Sequence, residues 1–168
     1  MSTEPDYARS RGGAALGARL RQLSERIDRE VAQIYAERNI RFEQRWYGVL
    51  NQIVLREPVA VTAVAGALRI SHASVSQASG SLGRAGLIAS VEDPSDGRRR
   101  LLTLSKAGRA LVEELRPLWV TLDRVAEQLN VEADNIVSLL DRLDDALASL
   151  SLRERVRREE QANGRSDG

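Results

Sequence analysis

A mainly α chain with one small β-hairpin is what these 168 residues encode, and three patterns say so. Leucine, isoleucine and valine recur every three or four residues near both ends, which is helical periodicity. Residues 87–104, LIASVEDPSDGRRRLLTL, hold two alternating apolar runs around a turn of Asp, Pro, Ser and Gly, which is a hairpin. Just before it lie two short helical segments joined by a tight break, a helix-turn-helix. In that order, within about 45 residues, the parts predict a winged helix-turn-helix flanked by N- and C-terminal helices.

Each element has its own signal. Residues 1–13 are polar and contain glycine, which predicts a disordered tail. Leu16, Leu20, Leu23, Ile27, Val31 and Ile34 then predict an amphipathic helix over residues 14–38. A second helical segment runs from Phe42 to Leu55, with Trp46, Val49, Leu50, Ile53 and Val54 on one side, and Glu57-Pro58 ends it. Val59–Val61 suit a short strand. Thr62 is expected to cap a helix of small apolar residues, and the chain breaks at Arg69 and Ile70. Ser71 caps the next helix, His72 to about Ala85, which stops near Gly86.

Beyond the hairpin, Ser105 caps a long helix in which Leu111, Leu115, Leu118, Leu122, Val125 and Leu129 form a heptad-like seam. Pro117 is expected to kink or interrupt it. Ile136, Leu139, Leu140, Leu143, Leu147 and Leu150 mark a further helix, and Ser151 with Glu154 forms a capping box for another. Residues 161–168 are expected to be a second disordered tail. The organisation is thus a single domain over 14–160, with the winged module at 59–104. Helices over 14–38 and 105–160 carry more apolar seam than so small a module can cover, which predicts a homodimer built from both ends.

Composition narrows the function. With no cysteine, thiolate metal sites and thiol redox chemistry are excluded, and the single histidine, His72, excludes a multi-histidine metal site. No cofactor is expected. There is no glycine-rich phosphate loop and no nucleophile–base pair, so the chain does not read as an enzyme. No apolar run approaches the roughly 18 residues of a membrane span. The first residues lack a signal-peptide core, so a cytoplasmic location is expected. Net charge is only +1, yet between Val59 and Ala110 seven basic residues stand against three acidic ones. A basic module in an otherwise acidic chain suits double-stranded DNA.

On the second helix of the pair, Val75, Ala78 and Leu82 share one face and are expected to be buried. His72, Ala73, Ser76, Gln77 and Gly80 occupy the opposite face, which suits the major groove. Gln77 can pair bidentately with adenine, Ser76 can donate or accept, and Ala73 can touch a thymine methyl. Arg99 and Arg100 lie on the outgoing strand and should point to opposite faces, so alternation puts Arg100 on the side of Arg98 and leaves Arg99 to pair with an acid.

Asp96-Gly97-Arg98, Leu104-Ser105-Lys106-Ala107-Gly108, Ser71 to Gln77 and Gly86-Leu87-Ile88 resemble the wing signature, long-helix entry, recognition-helix start and helix-to-strand step of the MarR family. The resemblance covers about residues 15–150. It implies a homodimeric winged-helix repressor on a pseudo-palindromic operator, often released by a small-molecule effector. It implies that Arg98 enters the minor groove and that Asp96 holds its guanidinium. The expected DNA-contact set is Ser71, His72, Ala73, Ser74, Ser76, Gln77, Gly80 and Arg84 on the helix, with Asp96, Arg98 and Arg100 on the hairpin. An effector pocket by resemblance would use Tyr35, Trp46, Tyr47 and Trp119, for which core packing is the competing role. The chain departs from the pattern at Gly80 and Gly83 inside the helix, at Ser81 where many members carry Arg, and at Arg69 where many carry Gly. Either Gly80 permits close approach to DNA, or affinity rests on the wing. A winged-helix protein-interaction module without DNA is the alternative function.

Overall fold

The computed structural model describes residues 7–166, the side chains of Arg98, Arg165 and Ser166 aside. It opens with one helical turn, α1 (Tyr7–Ser10), and a 3-10 turn, Gly12–Ala15, leading into α2 (Leu16–Glu37). A second 3-10 turn, Gln44–Trp46, enters α3 (Tyr47–Arg56), followed by β1 (Val59–Ala60), α4 (Val61–Leu68) and α5 (His72–Arg84). The hairpin is β2 (Ile88–Asp93) and β3 (Asp96–Leu104), after which come α6 (Lys106–Glu132), α7 (Ile136–Ser149) and α8 (Leu152–Ser166). The mainly helical class and the winged helix-turn-helix are therefore as the sequence predicts.

The chain divides into two compact units, one through Val112 and one from Glu113. In the second unit, consecutive helices are joined only by residues 133–135 and 150–151, so their contacts are largely local. The capping box there forms as expected: Ser151 N–H donates to Glu154 Oε2 at 3.2 Å and Glu154 N–H to Ser151 Oγ at 3.3 Å. Pro117 lies inside α6, which runs on without interruption. It is exposed on that helix, where water can satisfy the carbonyl its missing N–H leaves free.

In the first unit the core is a contiguous set from every element of the winged module. Leu50 and Ile53 of α3, Val64 of α4, and Val75 and Leu82 of α5 are 0% exposed. Each stabilises the fold by about 1.5–3 kcal/mol relative to an exposed side chain. The three-stranded antiparallel sheet has the order β1-β3-β2, with Val59 opposite Leu102 and Ile88 opposite Leu104. These four residues are buried, so the sheet's inner face closes the core.

Two expectations at helix ends are corrected. Thr62 does not cap α4; the N-cap is the extended Ala60, with no side-chain cap bond. Ala60 is still paired with Leu101 in the sheet, so the strand turns directly into the helix and places Thr62 inside the first turn. The segments expected to be tails are helical where described: Tyr7–Ser10 at one end and α8 to Ser166 at the other. Local contacts account for both. Ser10 Oγ donates to Tyr7 O at 2.8 Å, and the Arg11 guanidinium stacks 5.9 Å from the Tyr7 ring centroid. In α8, Glu154–Arg158 and Arg155–Glu159 are i,i+4 pairs of opposite charge, and glycine does not intervene before Gly164. Residues 1–6 and 167–168 of those tails lie outside the described part.

Arg69 ends α4 in the left-handed region, at φ 52° and ψ 37°. A Cβ there is strained by about 1–2 kcal/mol, while glycine adopts this conformation freely. Arg69→Gly is therefore expected to raise stability, by about 0.5–1 kcal/mol once glycine's extra unfolded-state entropy is subtracted. A urea midpoint measured for both proteins checks this, and a lower midpoint for the glycine variant would contradict it.

Candidate nucleic-acid interface

Helix α5 begins where the sequence places it. Ser71, extended at φ −65° and ψ 148°, accepts from Ser74 N–H at 3.1 Å. Its hydroxyl also lies 2.8 Å from Ser74 Oγ, so these two side chains complete the cap between them. The helix stops at Ala85, and Gly86 turns the chain at φ +73°.

Along α5, Val75, Ser79 and Leu82 are buried and Ala78 is half-buried. His72, Ala73, Ser76, Gln77, Gly80 and Arg84 are all exposed. At 100° per residue, Ala73, Gln77, Gly80 and Arg84 form one stripe opposite the buried face. His72 Nδ1 lies 3.3 Å from Ser76 Oγ, coupling two polar groups at the N-terminal end, where the helix dipole favours an anion. Ser79 was not anticipated as a core residue; its hydroxyl is buried without a partner among the described residues.

The hairpin closes over Pro94 and Ser95, with Asp93 opposite Asp96. Asp93 Oδ1 accepts from Ser95 N–H at 2.8 Å and from Ser95 Oγ at 2.6 Å, an Asx turn. These bonds hold the Asp93 carboxyl below its usual range, the hydroxyl bond contributing most and Arg99 adding a favourable charge. The alternation expected for the arginines is broken. Glu92 pairs with Arg100 and Asp93 with Asp96, so Gly97, Arg98 and Arg99 bulge from the ladder. Arg100, not Arg99 alone, has an acidic neighbour: its Nη1 lies 3.3 Å from Glu92 Oε1. Both side chains of that pair are more than half exposed, so the contact is weak. Asp96 is exposed at the start of β3, and the Arg98 side chain lies outside the described part.

Behind the hairpin, its root is held by bonds that the sequence reading did not pair up. Ser105 N–H donates to Leu87 O at 3.0 Å, Ser105 Oγ donates to Gly86 O at 2.6 Å, and Gly108 N–H donates to Ser105 Oγ at 2.9 Å. Glu57, at the end of α3, reaches the same place. Its carboxylate accepts from Thr103 Oγ1 at 2.7 Å and from Leu104 N–H at 2.6 Å, and it pairs with the Arg109 guanidinium. The bond from Arg109 dominates, and with Leu104 and Thr103 it lowers the Glu57 pKa from 4.5 to about 2.

This clamp makes stability depend on pH. The folded-state pKa lies below the unfolded value, so the contribution is complete above about pH 4.5 and is lost as pH falls towards 2. Arg109 is half exposed, and after screening the clamp is worth about 2 kcal/mol. Wild type should exceed Glu57→Gln by that amount at neutral pH, with the gap closing between about pH 4.5 and 2. Urea titrations across that range test it; a gap independent of pH would show that the carboxylate charge does not matter.

The residues expected to line a pocket are divided. Tyr35 and Trp46 are brought together through Phe42, with ring centroids 5.2 and 5.7 Å apart in edge-to-face geometry, and the Tyr35 hydroxyl donates to Gln44 Oε1 at 3.2 Å. All three rings are buried. Tyr47 opens α3 and is half-buried, and Trp119 lies on α6 in the second unit. The Trp46 indole N–H is buried and meets no acceptor among the described residues.

A model of the MarR family matches residues 42–99, which span α3, the helix-turn-helix and the hairpin tip. No curated protein matches the sequence. Solved structures do. The Bordetella bronchiseptica BpsR, whose DNA binding is regulated by 6-hydroxynicotinic acid, is 27% identical over 77% of this chain and 92% of its own, with a TM-score of 0.62. The transcriptional repressor CouR, bound to a 23-mer DNA duplex, is 24% identical over 86% of this chain and 99% of its own, at 0.64. The S. aureus MepR–DNA complex gives 20% identity, 80% and 97% coverage, and 0.63. The family model covers the same helix-turn-helix and hairpin that the structure assembles, so this segment is similar to the MarR family, and the chain shares the winged-helix fold of these solved structures.

Proposed function

We propose that this protein is a sequence-specific, double-stranded DNA-binding transcriptional regulator, acting as a homodimeric repressor and not as an enzyme. The observation that carries the reading is the α5 stripe: a capped helix exposes Ala73, Gln77, Gly80 and Arg84 opposite its buried face, and an arginine-tipped hairpin follows it. Such a helix fits the major groove, while the hairpin arginines suit the phosphates and narrow minor groove beside it. Ser71, His72, Ser74 and Ser76 would lie at the groove entrance, with Asp96, Arg98 and Arg100 on the wing.

The homodimer rests on uncovered apolar rows. Leu16, Leu20, Leu23 and Ile27 of α2 are 39–56% exposed, spaced as one helix face, and Ile136, Val137, Leu139 and Leu140 of α7 are 39–54% exposed. A single chain in water does not leave such rows bare without cost. A two-fold dimer reads a pseudo-palindrome, one half-site per recognition helix. A small-molecule effector fits the buried Trp46 N–H, which meets no acceptor among the described residues, with Tyr35 and Tyr47 as further candidates. Among the described residues no helix is long and apolar enough to cross a membrane, in keeping with a cytoplasmic regulator.

Selection of duplexes from randomised DNA, followed by affinity measurements over a range of salt, tests the function. A pseudo-palindromic consensus should emerge, and log affinity should fall linearly with log salt. Failure to select any sequence would remove this reading in favour of a protein-interaction module.

A further inference from the structure

Gly80 stands in the middle of the recognition helix, where glycine weakens helical structure. Its surroundings supply a reason. A Cβ built on Gly80 would lie 3.6 Å from Arg84 Nη1 and would meet nothing else within 4 Å, whereas one on Gly83 would meet nothing. Long helical side chains lean towards the preceding turn. Arg84 follows that rule and lays its guanidinium back over Gly80. Ala73, Gln77, Gly80 and Arg84 share the stripe facing away from the core, so the cation is carried from the end of α5 to its middle. Arg84 is exposed, and no acid pairs with it among the described residues.

We propose that Gly80 is a slot for the Arg84 guanidinium, and that Arg84, held there, reads a guanine through its O6 and N7 atoms. The inference rests on the DNA-binding reading above and deepens it by naming a specificity residue and what positions it. A planar guanidinium with paired N–H donors matches the two guanine acceptors in the major groove. The slot sets how far along the groove it sits. A methyl group at 3.6 Å is in ordinary contact, so alanine fits beneath the guanidinium; a longer side chain fills the space and displaces it.

The test uses the full chain and a duplex that the wild-type protein selects from randomised DNA. Affinities are compared at about 0.15 M salt, near physiological ionic strength, for Gly80→Ala, Gly80→Gln, Arg84→Ala and the double variant Gly80→Gln with Arg84→Ala. Circular dichroism confirms that each variant is folded, and both sites are exposed. Arg84→Ala should lose about tenfold or more and lose discrimination at one G·C pair in each half-site. Gly80→Ala should melt higher and keep the preference for the G·C pair that Arg84→Ala loses. Gly80→Gln should lose as much as Arg84→Ala, and the double variant should be no worse than Arg84→Ala alone. Losses that multiply in the double variant would overturn the slot, because glutamine would then be acting on DNA directly. Equal weakening on every sequence by Arg84→Ala would overturn the guanine contact in favour of phosphate. If the wild type selects no sequence, the DNA reading itself falls before any variant is compared.

Discussion

Gly108→Ala should cost the protein about 3 kcal/mol or more, enough to leave it marginally folded. A Cβ at Gly108 would lie 1.9 Å from the Leu87 carbonyl oxygen and 2.9 Å from its carbonyl carbon. These are backbone atoms, so no side chain can swing away. Relief requires α6 to move off the helix-to-strand junction. That movement strains the bonds linking Ser105 to Leu87 and Gly86, and the bond from Gly108 to Ser105. Leu87 and Ile88 enter the core at that junction, so the core opens with it. Helix propensity alone predicts the opposite sign, a gain of about 1 kcal/mol. Gly83→Ala isolates that gain, because nothing lies near a Cβ there. Urea unfolding of the two variants should therefore move in opposite directions, and a midpoint for Gly108→Ala at or above wild type would refute the close contact.

The same junction shows which parts of the fold are legible in sequence. Signals confined to three or four residues come through: the Ser71 cap, the Ser105 cap, the Ser151–Glu154 box and the Gly86 stop all form where the residues place them. The hairpin is legible for the same reason, since its turn chemistry and flanking alternation are local. Glu57 is not legible. Beside Pro58 it reads as a helix end, and its partners Thr103, Leu104 and Arg109 lie 46 to 52 residues away. Gly108 reads as a helix weakness until the Leu87 backbone is seen against it. Thr62 misleads because a good capping residue two positions late loses to strand pairing at Ala60.

At the interface itself the division is similar. The polar face of α5 follows from periodicity, and Val75 and Leu82 are buried as the pattern requires. Two features escape it. Periodicity cannot show that Arg84 folds back over Gly80, because that depends on a rotamer. Strict alternation cannot show that the register slips between Glu92 and Asp93. Alternation holds only while the ladder is regular, and three successive residues leave it here.

That slip bears on the second large effect. Arg98→Ala is expected to weaken operator binding by about 2 kcal/mol, roughly thirtyfold, with the fold intact. Gly97, Arg98 and Arg99 leave the ladder beside the hairpin tip. On the proposed reading Arg98, two residues beyond the closing pair, would meet a narrow minor groove that focuses negative potential. Arg100 is back in register opposite Glu92, and its charge is already partly balanced there. Arg100→Ala should cost less than about 0.5 kcal/mol, the scale of one weak exposed pair. Arg99, near Asp93, should fall between the two. The ordering Arg98, Arg99, Arg100 is the discriminating result. A generic cationic loop would lose similar affinity at each position, in proportion to charge removed. Equal losses at about 0.15 M salt, an ionic strength at which exposed charges are strongly screened, would mean that the bulge has no part in recognition. Unchanged binding by Arg98→Ala would remove the wing from the interface and leave α5, with Gln77 and Arg84, to account for specificity.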